Sequence, residues 1–152
     1  MPLIRRSGWL MAMALVLACS SDGITGPKAG FGHAAVMFAC GPADGPATAI
    51  YLTPVEYTAG PVAAPSIGIY IDQPLENLAG QTWDLSAASA TGTAWYQSDP
   101  GTFVKATAGS LTVSSIGSDK SVKGVVDVSI PGLPRITGSI HAIWIQSGAT
   151  CI

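Results

Sequence analysis

Two segments near the carboxyl end constrain the fold more than any other part of the chain. In Val122-Lys-Gly-Val-Val-Asp-Val-Ser-Ile130, the residues Val122, Gly124, Val126, Val128 and Ile130 fall on one side of an extended strand. In Ile136-Thr-Gly-Ser-Ile-His-Ala-Ile-Trp144, so do Ile136, Gly138, Ile140, Ala142 and Trp144. With Pro131-Gly-Leu-Pro-Arg135 as the loop, Ile130 is placed opposite Ile136 and Gly124 opposite Ala142, so the apolar sides of an antiparallel pair coincide. Helices do not produce such agreement, and the pattern makes the segment half of a buried sheet.

Earlier segments extend the plan. Ala34 to Cys40, Thr48 to Thr53, Ser66 to Asp72, Gln81 to Leu85, Thr91 to Gln97, Thr102 to Ala106 and Ser110 to Ile116 read as short strands. Between them lie Gly41-Pro-Ala-Asp-Gly-Pro46, Thr58-Ala-Gly-Pro61, Asp99-Pro-Gly101 and Gly117-Ser-Asp-Lys120, all rich in turn residues. The single helical candidate, Leu75-Glu-Asn-Leu-Ala79, enters after Pro74, stops at Gly80 and is too short to stand without packing. The expected fold is all-β: one antiparallel sandwich or closed barrel of eight or nine strands over residues 31–152, the pattern not choosing between the two.

The first thirty residues differ in kind. Arg5 and Arg6 precede the apolar stretch Trp9-Leu-Met-Ala-Met-Ala-Leu-Val-Leu-Ala18, about half the length that crosses a bilayer, which is the layout of a secretory signal over residues 1–18. Residues 19–30 are polar and glycine-rich and read as a flexible tether. From Cys19 onward five basic residues stand against nine acidic ones, a formal charge of −4. No basic stripe is available to neutralise phosphates, so nucleic acid is not an expected partner.

Val16-Leu-Ala-Cys19 resembles the lipobox of bacterial lipoproteins, with an aliphatic residue three positions before the cysteine and a small one directly before it. The resemblance implies cleavage before Cys19, diacylation of its sulfur and acylation of the new amino group. Two or more acyl chains give stable anchoring where one is marginal. It implies a cell-envelope location with the lipid bilayer as partner, and Ser20 after the cysteine points by the same resemblance to the outer membrane. Gly80-Gln-Thr-Trp-Asp-Leu85, Thr93-Ala-Trp-Tyr96, Gly109-Ser-Leu-Thr-Val113 and Val122 to Val128 are similar to small exported bacterial β-domains without assigned function, a likeness that implies a fold and no activity.

With Cys19 lipidated as the resemblance implies, Cys40 and Cys151 remain for each other in a compartment where disulfides persist. The bond would fasten the last strand to the first and close a loop worth up to about 4.7 kcal/mol in a chain-entropy account. The rival grouping of both cysteines with His33 and His141 as a metal site lacks any Cys-x-x-Cys or His-x-x-x-His spacing, and neither metal nor cofactor is expected.

Catalytic groupings are hard to assemble. Ser139 follows Gly138 but sits in no nucleophile elbow, and His141 shares the outer side of its strand with Thr137, Ser139 and Ile143. Asp72, Glu76, Asp84 and Asp127 read as solvated or turn-capping carboxylates. Aromatic residues remain, most of them core fillers by ordinary expectation. Alternation forces Trp95 and Tyr96 onto opposite faces, so these two, with Trp83 and Trp144, are the candidate ligand contacts. The reading that follows is a lipid-anchored, non-enzymatic envelope domain that acts by binding or as structure. Its alternatives are a lipocalin-like barrel carrying a small apolar ligand and a hydrolase with a site on its loops.

Overall fold

The computed structural model describes residues 30–42, 44–149 and 151. The expected signal segment, Cys19 and the tether up to residue 29 lie outside the described residues. Nine strands follow in order: β1 (His33–Cys40), β2 (Pro46–Thr53), β3 (Ser66–Ile71), β4 (Thr82–Asp84), β5 (Gly92–Asp99), β6 (Thr102–Lys105), β7 (Ala108–Ile116), β8 (Val122–Ser129) and β9 (Ile136–Trp144). Each matches an expected segment to within about two residues, and Leu75–Asn77 forms a single 3₁₀ turn where the helical candidate stood. The strands join in one curled, half-barrel sheet of order β4-β7-β8-β9-β1-β2-β3-β5-β6.

The period-two pattern decides what the curl encloses. Val36, Ile50, Ile69 and Ala94 lie side by side across β1, β2, β3 and β5, all fully buried. From the other half, Leu111 pairs with Val126 and Val128 with Ile136, again with almost no exposure. These two sets meet in one apolar core, while Thr112, Val125, Ser139, Lys123 and His141 stay outside. Each such aliphatic side chain contributes roughly 1.5–3 kcal/mol by leaving water.

The β8–β9 pairing slides by two residues from the expected one. Val128 faces Ile136 and Gly124 faces Ile140, in place of Ile130 with Ile136 and Gly124 with Ala142. Ile130 belongs to the turn, where its carbonyl accepts from the Leu133 N–H at 3.1 Å, and Gly132 adopts the left-handed conformation the turn requires. A slip of two preserves the face of every side chain, so all the apolar positions still point inward.

Among the described residues all strand pairings but one are antiparallel. The exception joins β1 to β9 through Ala35 with Ile143 and Val36 with Trp144. It is lengthened by the Ile145 N–H donating to the Val36 carbonyl at 2.9 Å and by the Ser147 hydroxyl donating to the Phe38 carbonyl at 2.9 Å. Beyond these the Cys40–Cys151 disulfide fastens the carboxyl tail to the end of β1, with Cα atoms 5.4 Å apart, as expected.

Candidate functional site

Two clefts open at opposite ends of the curl, because β1 starts at one end and finishes at the other. At the finishing end stand Phe38, Trp144 and Ile116, each within the last three residues of its strand and only half-buried, where the core runs out of partners. The chain after β3 forms one wall. The Thr48 hydroxyl donates to the Gln73 carbonyl at 3.0 Å, Pro74 starts the 3₁₀ turn, and Leu78 is buried beneath it, which leaves Leu75 lining the cleft and Glu76 at its rim. The β7–β8 turn forms the facing wall. There the Gly117 N–H donates to the Ser121 carbonyl at 2.8 Å, and the Asp119 carboxylate accepts from the Ser121 N–H at 3.0 Å and hydroxyl at 2.6 Å. Those hydrogen bonds, the hydroxyl's first, hold the Asp119 carboxyl below its ordinary range.

Between Asp119 and Ser121 the chain turns through Lys120, which takes a left-handed φ of 64° that a residue with a Cβ adopts at a cost. This conformation carries the Lys120 ammonium over the Trp144 ring, 4.7 Å from its centroid. A cation so placed is attracted by about 0.5–1 kcal/mol at an exposed site. The enclosed space is about 280 Å³, close to the lower end of the usual small-ligand range. Its lining is mostly apolar, with one cation and one carboxylate.

At the starting end, Phe31 meets Tyr96 edge to face, ring centroids 6.4 Å apart, and a second cleft of about 350 Å³ is bounded by Gly30, Pro54, Pro65, Leu133 and Ile136. Gly30, where the described residues begin, lies at this end.

The four aromatic candidates therefore separate. Trp144 lines the first cleft and Tyr96 the second. Trp95 points outward, as alternation requires against Tyr96, and meets Tyr51 edge to face at 6.3 Å. Its indole lies against Gly68, where any Cβ would collide with the ring. Burial pushes the Tyr51 hydroxyl above its usual pKa, and Tyr57 adds to the effect. Trp83 on β4, paired with Leu111 on β7, packs against the core with its Nε1–H buried and without a hydrogen-bond partner among the described residues.

The residues that complete the first cleft, Phe38, Leu75, Glu76, Ile116 and Lys120, were not among the sequence candidates. A trace was available at Lys120: Gly117-Ser-Asp-Lys-Ser121 is a turn signal with a lysine at the position that glycine or asparagine ordinarily fills. The titratable groups elsewhere disperse. His141 faces Lys123 across β8, His33 is exposed at the start of β1, and the Asp127 carboxylate accepts from Arg135 Nε at 2.7 Å and from its Nη2. Among the described residues no three His, Cys, Asp or Glu side chains converge. Comparison with known proteins finds no matching family model, no similar curated protein and no similar solved structure.

Proposed function

We propose that this chain is a lipid-anchored protein of the bacterial cell envelope whose β-domain binds a small ligand without transforming it, in the cleft of Phe38, Leu75, Ile116, Trp144 and Lys120. The observation that carries the reading is the placement of that cleft at the opposite end of the curl from Gly30. A tether from Cys19 joins the domain at the Gly30 end, which leaves the cleft at the other end unobstructed by the attachment and open to diffusing ligands. Half-buried aromatic and aliphatic side chains gathered at the strand ends, with one charged group on each wall, are the usual make-up of a binding site.

The sheet is read here as a closed barrel in preference to a sandwich. Supporting this, β6 and β7 sit at or beside opposite ends of the strand order yet are consecutive in the chain, and the link between them bonds both ways. The Ala106 N–H donates to the Ala94 carbonyl on β5, and the Thr107 N–H to the Ser129 carbonyl on β8, each at 2.9 Å. A lipocalin-like chamber along the axis is disfavoured, because Ile50, Ile67, Ile69, Leu111 and Val113 fill it with their own side chains. The ligand of such a carrier would sit at the end instead.

The test is native mass spectrometry of the chain isolated from bacterial membranes, alongside Phe38→Ala and Trp144→Ala variants. A small molecule released from the wild type and absent from both variants is expected. An identical complement of bound molecules on all three proteins would overturn the reading.

A further inference from the structure

Resting on that reading of the cleft, we infer that its ligand is a small amphiphile with a compact apolar body and one anionic head group, a carboxylate in the simplest case, and that Lys120 receives the head. Three observations converge on Lys120. Among the described residues its ammonium makes no ion pair, Asp127 with Arg135 being the pair that forms. The neighbouring Asp119 carboxylate is occupied by Ser121, and the face of Trp144 is the lysine's close contact. The β7–β8 hairpin turn requires a left-handed residue at this position, and with lysine there the side chain is placed at the mouth of an apolar cleft.

An alkyl or ring-bearing body would occupy the space among Phe38, Leu75, Ile116 and Trp144, gaining by its removal from water. The head would then lie beside the exposed Lys120 ammonium at the cleft mouth and accept a charge-assisted hydrogen bond from it. Glu76 stands on the other wall and opposes an anion, so the body is directed with its head toward Lys120.

The experiment uses the lipidated mature chain in lipid nanodiscs, with octanoate, octanol and octyltrimethylammonium as probes. Nuclear magnetic resonance follows the Trp144 indole N–H and the Leu75 and Ile116 methyl groups. Octanoate is expected to shift these signals at lower concentration than the other two probes. Lys120→Gln is expected to weaken octanoate binding by up to about fivefold, Lys120→Arg to restore it, and Glu76→Gln to strengthen it. Equal binding of the three probes, unchanged in Lys120→Gln, would overturn the anionic head group and leave the cleft standing. Preference for octyltrimethylammonium would do the same. No shift at Trp144, Leu75 or Ile116 with any probe would overturn the cleft itself and the inference with it.

Discussion

Cys40 and Cys151 close a disulfide beside the parallel β1–β9 seam of the sheet, joining chain positions 111 residues apart. The seam has two ladder pairs, so the bond and the tail it holds do much of the fastening between the two halves of the curl. Replacing both cysteines by serine should lower unfolding stability by about 2–5 kcal/mol, the range for removing a native bridge that closes a long loop. Urea unfolding would read this as a lower midpoint. Hydrogen exchange should quicken first at Ile145, whose N–H spans the seam.

Gly68 has a different role from the turn glycines, since it lies mid-strand and its missing Cβ makes room for the Trp95 indole. Gly68→Ala forces the ring off the strand and away from Tyr51, and should cost about 1–3 kcal/mol, as overpacking does. Near-ultraviolet circular dichroism would record the loss of the fixed Trp95–Tyr51 geometry. An unchanged spectrum and midpoint would contradict the packing.

Lys120 offers a separation of backbone strain from side-chain contact. Both Lys120→Gly and Lys120→Ala lose the contact with Trp144, but only glycine relieves the left-handed conformation. The glycine variant should be more stable than the alanine variant by about 1 kcal/mol, visible as a difference in urea midpoint. Equal midpoints would show that the turn carries no strain.

Asp127 is held below the ordinary carboxylate range, chiefly by its hydrogen bonds from Arg135 and also by the guanidinium charge. A folded-state value below the unfolded one contributes stability that is complete above the unfolded value of about 3.9 and is lost as the pH falls through the folded value. Arg135→Gln should return the Asp127 titration toward its ordinary range, followed by the carboxyl carbon signal. The pair is exposed, so the change in overall stability should be slight.

Much of this architecture is legible in the amino-acid sequence because strand alternation and turn chemistry are local. Val122 to Ser129 and Ile136 to Trp144 show their buried faces directly, and Asp99-Pro-Gly101 and Gly117 to Lys120 mark hairpins that form. The β8–β9 register is not local in this sense. A loop beginning at Pro131 and one that also takes in Ile130 keep the same faces inward, so the apolar pattern cannot distinguish them. The cleft was hidden for a longer-range reason. Phe38, Leu75 and Lys120 come together only because β9 runs parallel beside β1, a crossing with no signature in either segment. Trp144 was singled out by residue type alone, which could not separate it from Trp83 and Trp95, now placed against the core and on the outer face.

A domain anchored at one end and binding at the other depends on the fate of Cys19. The direct measurement is the intact mass of the chain recovered from the membranes of a bacterium that expresses it, with fragmentation of its amino-terminal peptide. The expected result is a chain beginning at Cys19, carrying a diacylglyceryl group on sulfur and an acyl group on nitrogen, with Cys40 and Cys151 oxidised. A water-soluble chain that begins elsewhere, with Cys19 unmodified or removed, would contradict it.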